Sequence, residues 1–215
     1  MAPKSWERWR HRLWHVLGGV SVRTKILGIV LAVILLPGLL VTYQVRSALV
    51  RTMREQLQQQ SLSVARDVAA RSTDLVLIND LYALNRLLQD TQKYDPDVRY
   101  LFILDARGHV LAHTFEGGFP LDLLEVNLLP PGSTHHLQPL LTEEGVVWDT
   151  AVPIFEGRAG VARVGLGEQR MWQVVNAITR QMVLSMLLVS IVGIGAAFIL
   201  TWLLTQPILE LVAAT

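Results

Sequence analysis

The sequence contains no cysteine. That excludes disulfides, thiolate metal sites and thioether-attached haem, so any folded part must hold together through an apolar core. Charge is also scarce: Asp, Glu, Lys and Arg make up 17% of 215 residues and leave a net charge of +1, so no nucleic-acid partner is expected. No G-x-S-x-G elbow, H-E-x-x-H helix or phosphate-binding glycine loop occurs, and "GLGE" at 165–168 lacks the continuation of a dinucleotide loop. No catalytic residue and no cofactor is expected.

What is abundant is apolar sequence, at 51% of residues with a mean hydropathy of +0.37. It is concentrated in two uncharged runs, Ile26–Val41 and Met182–Leu204. The second, 23 residues long, makes about 34 Å of helix, enough for a hydrocarbon core of about 30 Å. The first reaches span length when residues 42–45 are included. Before Ile26 stand Lys4, Arg8, Arg10, Arg12, Arg23 and Lys25 against Glu7 alone, which places the N-terminus in the cytoplasm. Trp6, Trp9 and Trp14 among them suit a membrane interface. The first run is too long for a typical signal peptide and is followed by only a weak cleavage site, so an uncleaved anchor is expected. The boundaries are then a basic cytoplasmic tail (1–25), a first span (26–45), an extracytoplasmic domain (46–181), a second span (182–204) and a cytoplasmic end (205–215).

Between the spans, Val50, Met53, Leu57, Ser61, Val64 and Val68 recur at helical spacing. Such a stripe can bury itself on its own domain or on a partner's copy. A break is expected near Ser72–Asp74, whose side chains can cap a new helix, and Pro96 stops that second helix at Asp95. "VRYLFIL" (98–104) is apolar at successive positions, the mark of a strand covered on both faces. Asp105 and Gly108 turn it back into 110–114. Two more strands flank "TEEG", "VARVGLG" makes a last one, and the following helix runs into the second span. Four or five antiparallel strands with a long helix give an α+β domain.

The joint order of a long membrane-proximal helix, "YLFILDARGHVLAHT" and "AVPIFEGRAGVARVGLG" resembles the Cache family of PAS-like extracytoplasmic sensor domains in bacterial receptors. "SVRTKILGIVLAVIL" resembles the opening of many sensor histidine kinases, and "TQPILELVAAT" the entry to a HAMP linker, with Pro207 at the point of signal relay. The resemblance implies a two-pass protein of the bacterial inner membrane with both termini cytoplasmic, forming a homodimer and sensing a small molecule. It further implies an output domain beyond Thr215, reaching a cognate response regulator if that output is a histidine kinase. A chemoreceptor, a diguanylate cyclase or a stand-alone tethered binding protein are the alternatives.

Ligands of such domains lie between the sheet and what covers it. Tyr82, Arg86, Tyr100, Phe102, His113, Phe115, Trp148 and Asp149 are the candidates, an arginine with an aromatic wall suiting a carboxylate. Phe102 and Trp148 would equally serve a core, and Arg86 a solvated helix face. His109 and His113 are about 13 Å apart along one strand, too far to share an ion. Only a cross-strand pairing of His113 with His135 or His136 could hold a metal, and none is expected. In the second span, Ser185, Ser190, Gly193, Gly195, Ala196 and Ala197 suit close helix pairing, and Pro37 disturbs the first span.

Overall fold

A computed structural model describes residues 22–143 and 145–212, with side chains over 24–200 apart from residues 26 and 144. Residues 1–21 of the basic tail, with its tryptophans, the side chain of Pro207 and residues 213–215 lie outside the described residues. In chain order the elements are α1 (Val22–Leu77), α2 (Leu81–Tyr94), β1 (Val98–Leu104), β2 (Val110–His113), α3 (Leu123–Val126), β3 (His136–Thr142), β4 (Gly145–Ile154), β5 (Gly160–Gly167) and α4 (Gln169–Val212). They form two compact units, Ala48–Asn176 and the joined segments Met1–Ser47 and Ala177–Thr215.

The first of these units is built on one five-stranded antiparallel sheet of order β2-β1-β5-β4-β3. Val98, Leu101 and Ile103 of β1 join Leu57, Ala65 and Val68 of α1 and Leu84 and Leu88 of α2 in one buried cluster. Burying each such leucine contributes roughly 1.5–3 kcal/mol. The α1 stripe is therefore spent on its own sheet, and the outward positions Gln56, Gln59, Arg66, Asp67 and Asp74 are polar and exposed. Alternate residues of β1, Tyr100, Phe102 and Leu104, point to the opposite face and meet Phe115, Phe119 and Leu123 of the 114–135 segment. Both faces are covered, which is why the strand reads apolar throughout.

The expected break at Ser72–Asp74 does not occur. The Ser72 and Thr73 hydroxyls bond back to the Ala69 carbonyl at 3.1 and 3.0 Å, which lets the helix continue. The chain turns instead at Asn79 (φ 58°), and Asp80 caps α2 by accepting from the Ala83 N–H at 3.0 Å. Asp105 builds the β1–β2 turn, its Oδ1 accepting from the Arg107 and His109 amides at 2.8 Å each.

In the other unit, α1 and α4 supply two helices long and apolar enough to cross a membrane. Pro37 sits inside α1 without ending it. One glycine on each helix lies against the other: a Cβ at Gly193 of α4 would stand 2.6 Å from Ile34 Cδ1, and one at Gly38 of α1 would stand 2.6 Å from Met186 Sδ, while Gly195 has open space around it. Arg46 Nη1 donates to Thr179 Oγ1 at 3.3 Å between the same two helices.

Candidate functional site

The face of the sheet turned away from α1 and α2 carries polar chemistry. His113, Phe102, Arg163, Ala151 and His136 stand in one register row across β2, β1, β5, β4 and β3. One step along, Tyr100, Gly165 and Asp149 form a second row. A Cβ on Gly165 would collide with the Tyr100 ring, so glycine is what lets the phenol lie flat across β5 and reach Asp149.

Asp149 and Arg163 are fully buried, at 0% and 1% exposure. Arg163 Nε donates to Asp149 Oδ1 at 2.9 Å, and Nη2 stands 2.8 Å from Oδ2. Tyr100 Oη donates to Oδ2 at 2.5 Å, and Asn127 Nδ2 to Oδ1 at 2.6 Å. Arg163 Nη1 donates to the Leu123 carbonyl at 2.6 Å, and its Cζ stands 4.8 Å from the centre of the Phe102 ring. Asn127 Oδ1 meets His136 Nδ1 at 2.5 Å. Burial raises the Tyr100 pKa, and the Asp149 charge and the hydrogen bond to it raise it further, so the phenol stays a donor. The network ties four strands, β1, β3, β4 and β5, to the covering segment.

Aromatic rings close the site. Phe115 stacks on Tyr100 at 5.1 Å between centroids, Phe119 stands edge-on to Phe102 at 5.0 Å, and His113 lies 5.7 Å from Phe119. Gly117 and Gly118, between the two phenylalanines, take φ of 86° and 120°.

Of the residues expected from sequence, Tyr100, Phe102, His113, Phe115 and Asp149 come together here. Tyr82 does not, being 80% exposed on α2. Arg86 lies on the exposed side of the same helix, with Nε 3.8 Å from Asp90 Oδ2. Trp148, next to Asp149 in an alternating strand, points to the helix side and donates to Glu168 Oε1 at 2.8 Å. The cross-strand pairing of His113 with His135 or His136 does not form: β2 and β3 are opposite edges of the sheet, four spacings of about 4.8 Å apart. The residues missed were Arg163, Asn127, His136 and Phe119. Arg163 had a signal, being a lone arginine in the otherwise small and apolar "VARVGLG".

A second buried carboxylate sits at the joint between β5 and α4. Glu168 is 2% exposed and accepts from Arg54 Nε of α1 at 2.9 Å, Trp148 Nε1 of β4 at 2.8 Å and Trp172 Nε1 of α4 at 3.0 Å. Burial alone would raise its pKa, but the bonds from Arg54 and Trp148, the Arg54 charge and the Trp172 bond together lower it. Seven residues beyond Arg54 on α1, Ser61 shares a 2.6 Å hydrogen bond with Thr150 of β4.

A five-stranded antiparallel sheet with helices on one face and a looped cover over a polar site on the other defines a PAS-like sensor fold. The sequence matches the single Cache domain 3 family over residues 48–180. The chain belongs to that family. No curated protein matches it at a significant level. Among solved structures it is similar to the E. coli DcuS sensor domain (19% identity, 58% of this chain and 98% of that one, TM-score 0.40). It is also similar to the sensor domain of the V. cholerae histidine kinase DctB (15%, 59% and 59%, 0.38). A third is the ligand-binding domain of the Pseudomonas fluorescens chemoreceptor CtaA in complex with L-isoleucine (16%, 56% and 51%, 0.34).

Proposed function

We propose that this chain is the sensory and transmembrane half of a bacterial sensor histidine kinase. Residues 26–45 and 182–204 cross the inner membrane, 46–181 lie outside it as the sensor domain, and both termini are cytoplasmic. The observation that carries the reading is a Cache domain set between two apolar helices, with α4 running from the residue after Glu168 into the second apolar stretch without interruption. A ligand held over Tyr100, Phe102, His113 and Asp149 acts on β4 and β5. Those strands carry Trp148, Thr150 and Glu168 on their other side and at their end, the groups that grip α1 and the start of α4. A change in one face is thereby a change in the helices that enter the membrane, the bistable element such signalling needs. Pro207 and the residues after it form the start of a HAMP linker that receives the motion, in a homodimer whose output domain phosphorylates a response regulator.

The test is to read the gene beyond the codon for Thr215 and assay the whole protein in nanodiscs for ATP-dependent phosphotransfer. A second linker helix, a phospho-accepting histidine and ligand-dependent transfer to a regulator support the kinase. Long heptads without an ATP site, or a cyclase domain, keep the sensor and replace the output. A stop codon there leaves a tethered binding protein. Because the chain has no native cysteine, pairs placed along 182–204 report dimerisation directly, and failure to cross-link at any position overturns the dimer.

A further inference from the structure

Among the described residues two buried side-chain nitrogens have no hydrogen-bond partner in the protein, His113 Nδ1 and Arg163 Nη2. Buried polar groups are nearly always paired, so each orphan asks for an explanation. These two are not scattered. They belong to the same register row, on either side of Phe102, two strand spacings or about 10 Å apart at the backbone. Both point to the covered face where Phe115 and Phe119 close over Phe102.

What Arg163 lacks is an acceptor, not a counter-ion. Asp149 already meets its charge: Nε bonds Oδ1, and Nη2 is 2.8 Å from Oδ2 as an ion pair, but without hydrogen-bond alignment. Asp149 in turn is filled by Tyr100, Asn127 and Arg163. A carboxylate brought to Nη2 would share one buried guanidinium with a second carboxylate, and like charges in one buried site disfavour each other's ionised form. A neutral carbonyl or amide oxygen meets the same N–H groups with no such repulsion.

We propose that this face takes a small uncharged molecule with a flat apolar or aromatic body and a hydrogen-bond acceptor, and that Asp149 is the residue that turns carboxylates away. The proposal rests on the reading of the domain as a ligand sensor. The acceptor pairs with Arg163 Nη2, a second polar atom meets His113 Nδ1, and the body lies on Phe102 where Phe119 now stands edge-on. Phe119 withdraws on the 114–135 segment, whose Gly117 and Gly118 already occupy conformations that side chains disfavour.

Benzamide and benzoate test this, being nearly the same shape and differing in charge. Each is titrated into the full chain in nanodiscs by calorimetry and by the shift in unfolding temperature. The expected result is saturable benzamide binding, weakened at least tenfold by Phe102→Ala and by His113→Ala, with benzoate at least tenfold weaker than benzamide. Asp149→Asn, checked for cooperative unfolding, is expected to narrow or invert that preference. The wild-type comparison stands even if the variant does not fold. Benzoate binding wild type as tightly as benzamide overturns the charge class and leaves the ligand face intact. Neither compound binding wild type overturns the proposal, the two nitrogens then being served by water alone. The sensor reading survives or falls separately, on whether any ligand changes the output of the whole protein.

Discussion

The two faces of the Cache sheet solve different problems. The helix side is an apolar interface of leucine, valine, isoleucine and alanine from α1, α2 and four strands, pinned by polar contacts that include Ser61–Thr150 and Arg54–Glu168. The far side buries an arginine, an aspartate, a tyrosine and an asparagine under phenylalanines. Apolar packing is directionless and proportional to area, so it suits a surface that must bind two long helices whatever their fine position. A buried ion pair is costly to desolvate, and well-packed apolar residues of equal volume are often at least as stable in its place. The polar face is thus the one whose composition stability does not ask for.

That contrast can be broken from either side. The largest effect is expected from Arg163→Met, which leaves the Asp149 charge buried and unmatched, at about 3–5 kcal/mol in chemical unfolding of the chain. The double variant Arg163→Met/Asp149→Leu should recover most of that loss. If it does not, the pair is a stabilising element and the two faces do not differ as argued. On the helix side Leu88→Ala, at a fully buried position, should cost about 3 kcal/mol by the same measurement and leave probe binding at the far face unchanged.

Gly165→Ala should cost about 1–3 kcal/mol, because its methyl displaces the Tyr100 ring. In a Tyr100→Ala background the same change should be close to neutral. A full cost in both backgrounds would show that Tyr100 does not need that glycine.

The smallest change in stability, about 1 kcal/mol, is expected from Glu168→Gln, which keeps an acceptor for the indoles and loses the charge facing Arg54. Its sign with pH sharpens the point. The folded pKa of Glu168 is lowered, so its contribution is present above the unfolded glutamate pKa and is lost as pH falls through the folded value. Wild type should therefore lose stability over that acid range more steeply than Glu168→Gln. Trp148 and Trp172 fluorescence should change with it. Parallel pH curves for the two proteins would remove Glu168 as a charged joint.

Much of this was legible without coordinates. Alternation failing in 98–104 announced a strand covered twice, and the spacing of Leu57, Ser61 and Val68 announced a helix with one buried side. The helix break was misplaced by one and a half turns because serine and threonine hydroxyls cap a helix or bond back within it with equal ease. Only neighbours decide between the two, and Ser72 is buried. Trp148 and Asp149 were adjacent candidates, but adjacent strand residues face opposite ways, so at most one could reach any site. Tyr82 and Arg86 had suitable chemistry on a helix that packs over β1 and β2 from the other side.

The sequence by itself determined the elements with a local cause: two apolar stretches long enough to span a membrane, the amphipathic helix, the turns at Asp105–Gly108, and the stop at Pro96. Tertiary structure alone decided which sheet face those elements covered. It placed Arg163 of the last strand against Asp149 of the one before and in line with His113, fifty positions earlier in the chain. Register across a sheet is set by pairing between distant segments, and a one-residue slip would send every one of those side chains to the other face.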